Sequence, residues 1–306
     1  GVCEPDEEIR QKFGGASAYA GLPWLTEEEI FARDDIDCAL IESFELRSLE
    51  YAEKCVHKGW HVHLDKPAGT DIVQFERILS EAKQKGLVFQ LGYMYRQNPA
   101  VRYVLEQAKT GKMGTITAID GSMGCVHPPE KREWLKQFPG GMMFYLGCHF
   151  IDLVVALKGV PDHIYPFNKT TGFGGVTALD NGMAVLEYPD CTAVVRCNAT
   201  EINGYYRRHL TVCGTEQTLE IRPMENPTRL FEATTQTAEG RGWEDCGHER
   251  FPGFLAGRYD EMLLDFARYC RGETDNPWSY SYEARLQRIV LAACGCPVDF
   301  QGEIRL

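Results

Sequence analysis

The feature that most constrains this chain is a change of hydrophobic period near Gly114. Before it, short apolar runs at Asp37–Ile41, Trp60–Leu64 and Leu87–Leu91 alternate with amphipathic stretches at Leu49–His57, Ile72–Gln84 and Asn98–Lys109. Strand and helix alternating at this spacing predict a parallel sheet covered on both faces. Two further helices precede it. Asp6–Phe13 carries acid in its first turn, and Thr26-Glu27-Glu28-Glu29 forms a capping box leading to Phe31. After Gly114 the pattern turns to period 2. Strands are predicted over Thr115–Gly124, Gly182–Tyr188, Thr192–Ala199, Arg207–Cys213, Thr218–Arg222 and Arg229–Ala233. The spacing predicts helices over Met142–Leu157, Tyr259–Tyr269 and Ala284–Ala293, and a charged, proline-containing loop over His127–Phe138. The expected fold is α/β, with an incomplete parallel sheet in residues 1–118 followed by an α/β domain with an open, mainly antiparallel sheet in residues 119–306. Gly1-Val2-Cys3 reads as the end of an apolar strand.

Composition excludes several classes. The net charge of −12 over 306 residues repels phosphate backbones, so no nucleic-acid partner is expected. No apolar run approaches the roughly 20 residues that span a bilayer. The twelve cysteines are scattered from Cys3 to Cys296 and read as free thiols of a reducing cytoplasm.

Chemistry gathers at two places. Leu64-Asp65-Lys66-Pro67-Ala68-Gly69 follows a strand and precedes a helix, and ligands of open α/β sheets lie beyond the carboxyl ends of strands. Lys66 there could polarise a carbonyl or favour an alkoxide, or could be a turn lysine in solvent. Tyr145, His149 and Asp152 fall at i, i+4 and i+7, on one helix face. His149 could accept a proton from an alcohol, or could be a core histidine satisfied by Asp152. His61 and His63 share a strand face but lack a third ligand, so they read as packing residues and no metal is expected.

Together these segments resemble the Gfo/Idh/MocA family, the group of glucose–fructose oxidoreductase, inositol dehydrogenase and rhizopine catabolism. Cys3-Glu4-Pro5-Asp6 is similar to the acidic end of its second Rossmann strand, and Asp65-Lys66-Pro67 to its Glu-Lys-Pro motif. Gly92-Tyr93-Met94-Tyr95-Arg96 resembles its aromatic–Arg segment. Gly140-Gly141 with Gly147, His149 and Asp152 resembles its active-site helix, Gly214-Thr215-Glu216 its sheet turn, and Tyr282–Gly295 its C-terminal stretch. The resemblance implies a Rossmann-like cofactor layer, NAD in preference to NADP, and oxidation of a secondary hydroxyl of a sugar, polyol or glycoside. It implies catalytic roles for Lys66, His149 and Tyr145, the last standing where the family commonly has Asp. It assigns cofactor contacts to Glu4, Ser43, Asp65, Lys66 and Pro67, and substrate contacts to Tyr93, Arg96, Trp134 and Asp152. Ser48 departs from the His of many members. It also implies a homo-oligomer joined through the open sheet.

The chain departs from the family at its front. No Gly-x-Gly-x-x-Gly turn is found in the sequence, and Gly1 is where the second strand should be ending. The expectation is that about 30 residues of the first strand and helix are missing and that the chain as it stands binds dinucleotide poorly. Two alternatives stay open at this stage. One is a sugar-binding or assembly subunit that has lost its cofactor, and the other a lyase or epimerase acting on a keto-sugar.

Overall fold

The structure, a computed structural model, describes residues 1–253 and 257–306. Its first layer is a parallel sheet of β1 (Cys38–Ile41), β2 (His61–Leu64) and β3 (Phe89–Leu91), in that order. Helices α1 (Glu7–Phe13) and α2 (Glu27–Phe31) precede it, with α2 opened by the Thr26/Glu29 capping box. α3 (Ser48–Lys58) and α4 (Ile72–Gln84) connect the strands, and α5 (Pro99–Lys109) follows them. The caps explain why these boundaries were readable. The Asp71 side chain accepts from the Gln74 backbone N–H, and the Asn98 side chain accepts from Ala100 and Val101, with Pro99 at the first helical position. β2 and β3 are buried throughout apart from His61, so both read as continuous apolar runs. Val2 does not extend this sheet. It forms a single parallel bridge with Trp24, held by Val2 N–H to the Pro23 carbonyl and Leu25 N–H to the Val2 carbonyl.

The second layer is an eight-stranded sheet. Its strands are β4 (Ile116–Gly124), β5 (His163–Pro166), β6 (Asn181–Glu187), β7 (Thr192–Asn198), β8 (His209–Gly214), β9 (Gln217–Ile221), β10 (Leu230–Thr234) and β11 (His248–Arg250), ordered β11-β10-β9-β8-β4-β7-β6-β5. β4 and β7 run parallel, and the other pairs are antiparallel. Burial alternates along it. Ala184 and Leu186, Ala193 and Val195, and Leu210 and Val212 are buried, while Val185, Val194 and Thr211 between them are more open. Against the covered face lie α7 (Cys148–Lys158) and α11 (Tyr280–Ala293). The remaining helices are α6 (Pro129–Trp134), α8 (Gly204–Arg207), α9 (Thr235–Ala238) and α10 (Asp260–Cys270).

Three local differences from the sequence pattern matter. Residues 127–138 are not a plain loop: they contain α6 and a 3-10 turn at Leu135–Gln137. The cause is Arg132, 1% exposed, whose guanidinium donates to Asp180 Oδ2 at 2.9 Å and to the His127 carbonyl at 3.2 Å. The helix starting near Met142 opens with a π turn, Met143–Gly147, before α7 proper; such turns often mark functional sites. Gly141 makes its entry possible. Its φ is +52°, and a Cβ there would lie 2.1 Å from the Leu179 carbonyl oxygen. Finally, the edge strands β5 and β11 escaped the pattern because their residues are largely exposed and show no alternation.

Candidate active site

The segment after β2 carries Asp65, Lys66 and Pro67 around a cis Lys66–Pro67 peptide. Asp65 N–H donates to the Ile41 carbonyl at 2.9 Å, tying the segment to the end of β1. From the other side α11 clamps it. Fully buried Gln287 accepts from Ala68 N–H at 3.2 Å and donates to the Gly69 carbonyl at 2.6 Å. Gly92 completes the cradle, because a Cβ there would come within 2.9 Å of Asp65 Oδ1 and 3.2 Å of Asp65 Cα. Gln287 was not foreseen. A glutamine in an amphipathic helix carries no signal of its own, and its partners lie over two hundred residues away in sequence.

Lys66 is not a solvent lysine: it is 8% exposed. Its Nζ donates to the Tyr145 carbonyl at 3.1 Å and sits 5.3 Å from the centre of the Tyr145 ring. Burial opposes its charge, but Cys148, Asp65, Tyr145 and Glu45 together raise its pKa above the ordinary lysine value. The Cys148 thiol is itself pushed up to about 12 by burial and stays protonated at neutral pH. The Asp65 and Glu45 carboxylates are therefore the charges that keep Lys66 an ammonium.

His149 lies on α7, one turn beyond Tyr145. Its ring is 5.9 Å from that of Tyr93 and 5.5 Å from that of Tyr95, both edge-on. Burial, and after it the positive charges of Lys66, Arg258, Arg208 and Arg96, hold its pKa well below the usual histidine range. It is a neutral imidazole at physiological pH. Asp152 does not satisfy it, contrary to the core-histidine alternative: Nδ1 of His149 is buried with no hydrogen-bond partner in the protein. Tyr145 is half-buried, and burial raises its hydroxyl pKa against the pull of Lys66. Its hydroxyl thus stays a donor at neutral pH, and His149 is the better proton acceptor.

Asp152 turns instead to Arg96. The Arg96 guanidinium donates to both Asp152 oxygens at 2.8–3.1 Å and to both Glu283 oxygens at 2.6 and 2.9 Å. It stacks 4.1 Å from the Trp278 ring and 4.8 Å from that of Tyr93. All three charged side chains are at most 3% exposed. Beside them, buried Glu225 accepts from the Tyr95 hydroxyl at 2.7 Å and from Arg208 at 3.2 Å. Glu283 and Glu225 were both missed, since a buried carboxylate is indistinguishable in sequence from a surface one.

The other expected site residues scatter more widely. Trp134 is half-buried against Phe138, Tyr145 and Phe44, with ring centres 4.8, 5.4 and 6.2 Å away. Ser43 lies just past β1, and its buried Oγ has no partner. The Tyr93 hydroxyl is likewise buried and unpartnered. Glu4 is half-buried in the N-terminal segment, where its Oε1 accepts from Asp6 N–H at 2.9 Å. The unpartnered Ser43, Tyr93 and His149 atoms fit the polar nicotinamide–ribose end of a dinucleotide and a hydroxylated substrate. Among the described residues no group of three or more His, Cys, Asp or Glu is arranged to hold a metal ion, and no helix is long and apolar enough to cross a membrane.

Comparison with known proteins identifies the family. Residues 1–93 match the model of the oxidoreductase family with an NAD-binding Rossmann fold, and residues 101–220 match the GFO/IDH/MocA C-terminal domain. A dTDP-3,4-didehydro-2,6-dideoxy-alpha-D-glucose 3-reductase of Actinomadura kijaniata is 28% identical over 144 residues, 47% of this chain and 42% of that protein. The chain spans 42%, 52% and 63% of the length of three curated relatives it matches. Among solved structures, a putative NADPH-dependent oxidoreductase from Desulfitobacterium hafniense superposes with a TM-score of 0.79 at 21% identity, covering 96% of this chain and 86% of that one. A levoglucosan dehydrogenase in complex with NADH and levoglucosan also gives 0.79, at 16% identity, covering 96% and 87%. At these identities the structural likeness concerns the fold.

Proposed function

The chain belongs to the Gfo/Idh/MocA family of oxidoreductases, and on that premise we propose that it oxidises a secondary hydroxyl of a sugar, polyol or glycoside with a nicotinamide cofactor. The observation that carries this reading is the contact between Lys66 Nζ and the Tyr145 carbonyl. It joins the carboxyl end of a parallel strand to the helix that bears His149, so a buried ammonium and a buried neutral imidazole serve one cleft. The sugar substrates named for the reductase and for levoglucosan dehydrogenase support a sugar-like substrate here.

A nicotinamide cofactor, held by Asp65, Pro67 and Ser43, would supply the hydride acceptor. The protein supplies the rest. Lys66 donates a hydrogen bond to the substrate oxygen and favours the alkoxide as it forms. His149, neutral and without a protein partner at Nδ1, takes the hydroxyl proton. The Tyr145 hydroxyl donates to the substrate and orients it. Asp65, Pro67 and Ser43 contact the nicotinamide ribose, and the acidic Glu4 disfavours a 2′-phosphate, so NAD is preferred. The Arg96–Asp152–Glu283 cluster, closed to solvent, acts as a brace that fixes α7 and α11 rather than as a substrate contact. We further assign the protein to a reducing cytoplasm, where its twelve cysteines, all free, remain thiols. The open face of the eight-stranded sheet serves as a homo-oligomer interface.

The test is reduction of NAD by the protein with a panel of sugars, polyols and glycosides. Lys66→Met should lower turnover about 100-fold or more while cofactor affinity changes little. Sugar binding without NAD reduction in any condition would favour a non-catalytic subunit. Near-normal turnover in both Lys66→Met and His149→Gln would refute the catalytic assignment.

A further inference from the structure

A second cation shares the Tyr145 ring with Lys66. Lys131 Nζ lies 4.6 Å from the Tyr145 ring centre and 3.4 Å from that of Trp134. Among the described residues neither Lys66 nor Lys131 makes an ion pair within 4.0 Å. The nearest shared counter-charge is Glu45, whose pKa burial raises, and Asp65 adds a second carboxylate beside Lys66. Burial lowers the pKa of Lys131; Glu45 opposes this and the charge of Lys66 adds to it.

His127 faces the same ring, its centre 6.4 Å from that of Tyr145, and its Nε2 is buried without a partner. Lys131 and His127 are held together by one anchor. Arg132, between Asp180 and the His127 carbonyl, ties α6 to His127, two residues ahead of it. Asp180 is fixed in turn by the Thr171 backbone N–H and hydroxyl at 2.7 and 2.8 Å. Two donors, Lys131 Nζ without an ion pair and His127 Nε2 without a partner, are thus preorganised beside the Tyr145 ring.

We propose that the substrate carries a carboxylate, as a uronic acid or its glycoside does, and that Lys131 and His127 bind this group while Lys66 and His149 face the reacting hydroxyl. The inference deepens the oxidoreductase reading and rests on it for the placement of the reacting carbon. One ammonium and one imidazole N–H match the single charge and two oxygens of a carboxylate better than a phosphate dianion, which calls for more donors. A neutral sugar would leave Lys131 without a paired anion, whereas a carboxylate supplies one on binding.

Methyl glycosides of glucose, galactose and mannose, each paired with its methyl glycosiduronic acid and its 6-phosphate, give the test. In at least one series kcat/KM for the uronate should exceed that of the neutral glycoside by about tenfold or more, the scale of one charge-assisted hydrogen bond. The phosphate should fall below the uronate. In Lys131→Gln the uronate-to-neutral ratio should collapse towards one, mainly through KM, and Lys131→Arg should restore most of it. Calorimetric titration of the uronates separates this site from the chemistry, since Lys131→Gln should bind them about tenfold more weakly whether or not any glycoside is oxidised. If no sugar is oxidised but uronate binding depends on Lys131, the anion site stands and the oxidoreductase reading falls. A neutral or phosphorylated sugar preferred in every series, or no Lys131-dependent uronate binding at millimolar concentration, overturns the proposal.

Discussion

Replacing Arg96 with Met tests whether the buried cluster braces the fold. In the native structure the guanidinium bridges the Asp152 and Glu283 carboxylates, each at most 1% exposed, through five hydrogen bonds of 2.6–3.1 Å. Methionine preserves much of the packing against Trp278 but leaves two buried carboxylates facing each other without a cation. Removing one partner of a buried ion pair costs about 3–5 kcal/mol, because the remaining charge keeps its desolvation penalty. For a domain of about 200 residues that corresponds to a melting temperature lower by roughly 6–20 °C. The effect should depend on pH. Burial already raises the Glu283 pKa against the pull of Arg96, and without Arg96 it rises further. An acid whose folded pKa lies above its unfolded value loses stability as pH rises from the unfolded value to the folded one. The gap between native and variant proteins should therefore be widest near neutral pH and narrow towards pH 4. Urea unfolding and thermal melting at several pH values measure it. A loss below about 1 kcal/mol at neutral pH, the scale of an exposed ion pair, would refute the brace and return Arg96 to the substrate-contact reading.

Three further outcomes are expected. His149, held well below the usual histidine range by burial, should give a kcat/KM profile that stays level through the ordinary histidine pKa of about 6.5; a limb near that value that vanishes in His149→Gln would contradict the assignment. The same depression means that the unfolded chain binds a proton there before the folded one does, so this histidine's contribution to stability is lost as pH falls below the ordinary range. Gly92→Ala, which would bring a Cβ within 2.9 Å of Asp65 Oδ1, should cost about 1–3 kcal/mol of stability and weaken NAD binding through displacement of the Asp65–Pro67 segment; unchanged melting and unchanged NAD affinity by calorimetry would show that the segment yields freely. NAD should bind more tightly than NADP, with the difference reduced in Glu4→Ala, and equal affinities in the native protein would remove Glu4 from the ribose site.

Local chemistry made much of this protein legible in its sequence. α4 and α5 begin where Asp71, Asn98 and Pro99 place their first turns, because caps act within one turn of the chain. The change near Gly114 announced the second sheet because one-sided burial enforces alternation along each strand. Lys66 and His149 stood out because their positions relative to a strand end and a helix face are also local. What only the tertiary structure decided is which distant groups meet them. Asp152 was free in sequence to satisfy His149, yet it faces Arg96, because Glu283 on α11 brings a second carboxylate to the same guanidinium. Gln287 clamps the Lys66 segment, and Arg132 converts an apparent loop into a helix that presents Lys131 to the cleft. Each of these contacts joins segments far apart in the chain, and a buried polar residue reveals its role only through the partner that makes its burial tolerable.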